Sequence, residues 1–133
     1  MTTKTPASPV YMVYVCHSVS DRAELEEYWA SIGPTLKGQP IKLLAGYTPF
    51  EVLEGENVEA VLVAEWPSME AAKAWYESPG YKAIRHLRME NAKYTGVLVE
   101  AGLAPPEERL RNRIREGAAM IGNVTVQTKR GKP

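Results

Sequence analysis

Apolar residues occupy nearly every position of Val10–Cys16 and again of Ala60–Ala64, the pattern of strands covered on both faces rather than of alternating, half-wet ones. The first run, read as Val10–His17, is rich in β-branched and aromatic residues. Ser20 and Asp21 then offer N-cap oxygens, and Glu24 stands where a capping-box partner of Asp21 belongs. Leu25, Tyr28, Ile32 and Leu36 follow at helical spacing, with Gly33-Pro34 expected to kink or end the helix and Gly38 and Pro40 to close it. Ile41–Tyr47 reads as a second strand, continuing through Phe50–Leu53 after a break at Thr48-Pro49. A turn at Glu54-Gly55-Glu56-Asn57 makes a hairpin to Glu59–Trp66. Pro67-Ser68 opens a helix striped by Met69, Ala72, Trp75 and Tyr76; Ser78-Pro79 opens another carrying Tyr81, Ile84, Leu87 and Arg88. Gly96–Ala101 reads as the fourth strand.

The stretch Val13–Tyr28 recurs at Val61–Tyr76, 48 residues later and without a gap: Val13-Tyr14-Val15-Cys16 matches Val61-Leu62-Val63-Ala64, Ser20 matches Ser68, Ala23 matches Ala71, and Tyr28 matches Tyr76. The order strand, helix, strand, strand, helix, strand with right-handed crossovers gives an α+β, ferredoxin-like antiparallel sheet in the order 4-1-3-2, helices on one face. The other face keeps apolar side chains from strands 1 and 3. Left in water it would be a liability, so a homodimer is expected.

Composition narrows the rest. The chain has 133 residues, 44% of them hydrophobic and 24% charged, with a net charge of zero, which gives no electrostatic reason to seek nucleic acid or an anionic membrane. One cysteine, Cys16, excludes an internal disulfide; with no signal-like or membrane-length apolar run, a cytoplasmic location is expected. Residues 1–9 read as a flexible lead-in, 10–104 as the folded domain and 105–133 as a basic arm. That arm has seven basic against three acidic residues, +4, leaving −4 on the remainder. Glu107–Met120 reads as a helix, solvated or embracing a dimer partner in preference to contacting nucleic acid, because its arginines spread around it. Asn123–Thr128 reads as a short edge strand and Lys129–Pro133 as disordered.

Leu53-Glu54-Gly55, the run Trp66-Pro67-Ser68-Met69-Glu70-Ala71-Ala72-Lys73-Ala74-Trp75-Tyr76, Ser78-Pro79 with Tyr81, and Leu87-Arg88 resemble the family called domain of unknown function 1330, of the dimeric α/β-barrel superfamily. The resemblance spans about Val10 to Leu103 and implies a subunit whose sheet packs against its twin's. It implies no common reaction; the wider superfamily includes cofactor-free monooxygenases, cyclases, small-lactone isomerases and haem-handling enzymes. The sequence departs from the family at Gly38-Gln39-Pro40, where a glycine-rich step enters the second strand, and in the tail beyond Leu103.

His17 invites pairing with its repeat-mate Glu65, but both lie at the C-terminal ends of antiparallel strands, about 20 Å apart at strand rise. The same topology is expected to bring Tyr47, Glu54, Arg88, Asn91 and Tyr94 to the end of the sheet that holds His17, with Trp75 or Tyr76 lining the cleft. His17 would then act as general base and Arg88 as oxyanion or enolate stabiliser; the plainer reading makes His17 a bonded strand-end residue and Arg88 an ion pair with Glu54. His86 reads as exposed and Cys16 as core filler. Two histidines and one cysteine show no metal spacing, and no phosphate loop, Ser-His-Asp pattern or dinucleotide fingerprint is present, so no cofactor and no metal are expected. The expected function is binding of a small organic metabolite between sheet and helices, with a cofactor-independent proton transfer, cyclisation or oxygenation there. A non-catalytic ligand-binding or accessory protein is the alternative, and an interaction module docking through the basic tail a third.

Overall fold

A computed structural model describes residues 8–114. The element order is β1 (Val10–Val19), α1 (Arg22–Leu36), β2 (Lys42–Gly46), β3 (Ala60–Trp66), α2 (Met69–Tyr76), α3 (Pro79–Asn91) and β4 (Ala92–Glu100). The strands form one antiparallel sheet in the order β2-β3-β1-β4, the ferredoxin-like arrangement expected. The register sets Val13 opposite both Val63 and Val97, so β1 is the spine of the sheet.

Three helix starts are capped by the residues that chemistry favours. Asp21 Oδ1 accepts from the Glu24 amide at 3.2 Å, Ser68 Oγ from Ala71 at 3.1 Å and Ser78 Oγ from Tyr81 at 3.3 Å. Pro34 does not end α1, which runs on to Leu36. So near the C-terminus a proline forfeits one hydrogen bond with less than a turn left to follow, and Gly38, at φ +79°, makes the exit.

Residues 48–59 carry no strand, so the expected continuation through Phe50–Leu53 does not form, and β2 and β3 pair as a hairpin closed by a long loop instead of a tight turn. Tyr47 is the reason. Its amide still donates to Val61 O at 2.9 Å, but its φ of +59° turns the chain off the sheet immediately afterwards. β4 begins earlier than expected, at Ala92, because the Asn91 carbonyl accepts the amides of Ser20 and Asp21 and ties the end of α3 to the start of α1.

Alternation along β1 divides the two faces of the sheet. Val10, Met12, Tyr14 and Cys16 are buried against the helices, where Ala64, Trp66, Leu25, Tyr28, Ala72, Trp75 and Tyr81 complete the core. Trp75 lies at its centre, its ring centroid 4.0 Å from that of Tyr81 and 5.6 Å from that of Trp66, with Nε1 donating to Thr35 Oγ1 at 3.1 Å. The opposite face presents Val13, Val15, Val61 and Val63 beside Val97 and Val99, the last two half exposed. The apolar second face anticipated from the sequence is therefore there.

Contacts divide the chain into one unit up to Ala101 and another from Gly102. Within the latter, Pro106–Glu108 forms a single 3-10 turn and residues 109–114 are not helical. The helix expected over Glu107–Met120 is thus absent from its described part; with prolines at 105 and 106, only a tight turn starts. The rest of that segment, the strand expected at Asn123–Thr128, the tail Lys129–Pro133 and most of the N-terminal lead-in lie outside the described residues.

Candidate functional site

A cavity of about 250 Å³ opens between α1 and the helical face of the sheet. Met12, Tyr14, Ile32, Leu43, Tyr47 and Trp75 are among the residues that line it. Its walls are almost wholly apolar, and no imidazole or carboxylate contributes to them. Gly46, opposite Leu62 in the β2–β3 register, borders the same space, and a Cβ built on it would meet nothing within 4 Å.

Polar groups stand at the edge of this apolar volume. The hydroxyls of Tyr28 and Tyr81 hold each other at 2.8 Å, and those of Tyr47 and Tyr94 at 3.2 Å. Tyr14 Oη and Trp29 Nε1 are buried without a close hydrogen bond among the described residues, but Tyr14 lies against Tyr81, and Trp29 against Tyr47 and Tyr94. Gly96 makes room for the Tyr14 ring: a Cβ on Gly96 would lie 2.8 Å from it. Tyr47 reaches its place only from the left-handed backbone region, which costs a non-glycine residue about 1 kcal/mol or more.

Arg88 is the most unusual group in the molecule. Only 6% exposed, it is the one charged residue in the core among the described residues, and no carboxylate pairs with it there. Its guanidinium carbon lies 4.9 Å from the centre of the Tyr14 ring, 5.1 Å from Tyr94 and 5.8 Å from Tyr28. Burial disfavours the cation and is the largest single influence, but the surrounding tyrosine oxygens outweigh it and hold the group charged. Nε has no partner.

Burial likewise pushes the phenols of Tyr14, Tyr28 and Tyr94 far above their ordinary value. It raises Tyr47 as well, with partial relief from Tyr94, Trp29 and Arg88. These groups are neutral hydrogen-bond donors at physiological pH. A pKa raised on folding stabilises the native state fully below the unfolded value, and the contribution fades as pH climbs past it. Denaturation stability is therefore expected to fall above about pH 10, with most tyrosinate absorbance emerging only on unfolding. Free ionisation of all seven tyrosines in the folded chain would contradict this arrangement.

The site residues expected from the sequence divide between the two faces. Tyr47 and Trp75 line the cavity, while Tyr94 and Arg88 stand behind it. His17 is elsewhere. It occupies an irregularity in the β1–β4 register, with Nε2 2.9 Å from Thr95 Oγ1 and Nδ1 3.0 Å from Asn57 O. Thr95 pairs with Val15 on the open face, so His17 fastens the loop to that face, and the sheet separates it from Arg88. The expected meeting of His17 and Arg88 does not occur within one subunit. Glu54 is exposed on the loop and forms no ion pair with Arg88. The Asn91 side chain bonds Leu87 O at 2.8 Å, and Tyr76 packs on Trp75 and Tyr81 beneath Arg85. Glu65 opposes Tyr11, far along β1 from His17, as the antiparallel argument required.

Sequence reasoning missed Tyr14, Tyr28, Trp29 and Tyr81 as a polar cluster. The signal was available: Tyr14, Tyr28 and Tyr81 all fall at core positions, and a phenol placed there brings a hydroxyl that needs a partner.

The family model that matches this chain, over residues 9–102, is Domain of unknown function (DUF1330). No curated protein matches it in sequence. Among solved structures it resembles a protein of unknown function from Rhodopseudomonas palustris, 18% identical with a TM-score of 0.61, over 74% of this chain and 85% of that one. It also resembles SnoaB, a cofactor-independent oxygenase from Streptomyces nogalater, at 20% identity and TM-score 0.53, over 75% of this chain and 99% of that one. A third likeness is to a dimeric ferredoxin-like protein of unknown function from Thermobifida fusca, 10% identical with TM-score 0.54, over 75% and 97% of the respective chains. At these identities the likenesses show a shared fold.

Proposed function

This chain belongs to the family Domain of unknown function (DUF1330), and we propose that it is a homodimer that binds a small organic molecule in the cavity between α1 and the sheet. The observation that carries the binding is an apolar cavity left open on the helical face of the sheet beside Gly46, an arrangement that close packing alone does not reward. The valine-rich open face supports the dimer, as do dimeric neighbours of the same fold. Among the described residues no helix is long and apolar enough to cross a membrane, and the single cysteine suits a reducing compartment such as the cytoplasm.

Tyr47 and Trp75 contact the bound molecule, with Tyr94 and Arg88 as supports behind them. Cofactor-independent oxygenation, cyclisation or proton transfer is the catalytic form of this reading, with Arg88 favouring negative charge that develops on the substrate. A non-catalytic binder is the second reading, favoured by the lack of imidazole or carboxylate in the cavity wall.

Gly46→Leu tests the cavity directly, because the new side chain enters open space beside Leu62. Metabolites that raise the melting temperature of the natural chain should fail to raise that of the variant, which itself folds normally. Undiminished shifts in the variant would exclude this cavity as the binding site. Sedimentation should give twice the 14.8 kDa of one chain; a monomer in dilute solution would remove the dimer.

A further inference from the structure

We infer that the loop over residues 48–59 docks a second copy of this chain: Phe50, Val52 and Leu53 lie against the partner's open sheet face, and His17 is the positioning residue that clasps the loop for this contact. The inference rests on the proposed homodimer and adds the surface that holds it together.

Strands about 4.8 Å apart, rising about 3.3 Å per residue, give a four-stranded sheet of seven-residue depth a face of about 19 by 23 Å, roughly 440 Å². The valines at its centre are already partly covered by their neighbours. A stable interface takes about 800 Å² from each partner. The sheet face alone falls short, so adjoining apolar surface has to supply the remainder.

The loop is that surface. Phe50, Val52 and Leu53 are exposed within four positions, and Leu53, at 89%, is more exposed than any other large apolar side chain described. Folding of a single subunit does not account for this arrangement, since residues 48–59 join no strand. The end of the loop is nevertheless tied down. Glu59 N donates to Cys16 O at 2.7 Å, and Asn57 Nδ2 donates to His17 O at 2.6 Å. The His17 ring closes the clasp, with Nδ1 3.0 Å from Asn57 O and Nε2 2.9 Å from Thr95 Oγ1. A carbonyl oxygen only accepts, so Nδ1 carries the proton here and the ring is fixed between the loop and the open face. One side chain thereby makes the two surfaces continuous.

Charge selects how the copies meet. The loop carries Glu51, Glu54, Glu56 and Glu59 and no basic residue. Two loops pressed together would set like charges side by side, whereas a loop laid on valines keeps its carboxylates at a wet rim. A two-fold axis then lets each loop cover the other subunit's face, and every contact occurs twice.

Sedimentation velocity over a dilution series of the full chain measures the dimer dissociation constant. Leu53→Ser should raise it about a hundredfold, roughly tenfold for each of two equivalent contacts, with an unchanged circular dichroism spectrum. His17→Ala should weaken the dimer by releasing the loop, and the double variant should be little weaker than Leu53→Ser alone. Met89→Ser is the control: that side chain is 59% exposed on α3, away from the open face, and its loss should change nothing. A change below about threefold for Leu53→Ser would overturn the inference and leave the loop to a different partner or to the cavity mouth. Equal weakening by Met89→Ser would overturn it as non-specific association. Full additivity of the Leu53 and His17 substitutions would overturn the clasp. A natural chain that is monomeric throughout would instead fell the homodimer itself, and this contact with it.

Discussion

Truncating Trp75 to alanine should lower the folding stability of this chain by about 3–5 kcal/mol, the loss typical of a large aromatic removed from a close-packed core. Trp75 is 1% exposed and is shared by three groups: Trp66 from β3, Tyr81 from α3 and Tyr76 on its own helix. Its removal also takes away the hydrogen bond that Nε1 donates to the Thr35 hydroxyl, and it merges the space it leaves with the cavity it lines. Trp75→Phe keeps most of the packing and should cost appreciably less. Urea denaturation monitored by circular dichroism measures both. A loss below about 1 kcal/mol for the alanine variant would mean that the aromatic cluster is not the core of the molecule.

Arg88 should behave in a way that separates charge from packing. Confining an ion away from water costs several kcal/mol even after relaxation. Each aromatic face near it returns about 0.5–2 kcal/mol, and three rings lie within 5.8 Å. These opposing terms nearly cancel. Arg88→Met, which keeps a long apolar stem and discards the charge, should therefore change stability by less than about 2 kcal/mol in either direction. Arg88→Ala empties the volume as well and should cost about 2–4 kcal/mol. The result that would sink this account is a methionine variant as damaged as the alanine one, for the charge would then be holding the core together. A chain that tolerates methionine but retains arginine is retaining it for something other than folding.

The sequence made the architecture readable because the architecture depends on local rules. Two apolar runs and three capping residues, Asp21, Ser68 and Ser78, suffice to set strands and helix starts, and every one of these caps bonds where expected. Boundaries failed where one backbone angle decided them. Nothing in the letters Gly46-Tyr47-Thr48 announces that Tyr47 takes a positive φ, yet that turn ends β2 and lengthens the loop of its hairpin with β3. The candidate site was only half readable for a different reason. A sheet has two faces, and residues drawn to the same end of it need not share one. His17 and Tyr94 both sit at that end, but alternation along β1 puts the imidazole on the open side with Val13 and Val15, where Thr95 meets it. Arg88 was singled out correctly as a place of interest and given the wrong neighbours. An ion pair with Glu54 was the obvious partner for an arginine, and tyrosines at four separate points of the chain took its place.

The position of β1 between β3 and β4 has a consequence for how the chain is made. As β1, the first strand of this sheet, leaves the ribosome, neither neighbour is available: one is synthesised past the midpoint of the domain, and the other comes last of the four. Val10–Val19 therefore waits with both hydrogen-bonding edges bare until Ala60–Trp66 has emerged, and with one still bare until residues up to Glu100 have followed. Long-range pairing of this kind folds slowly and exposes sticky intermediates, so vectorial synthesis gives the nascent polypeptide no early native foothold. Released ribosome-bound fragments ending before Ala92 would be substrates for chaperones rather than small folded proteins.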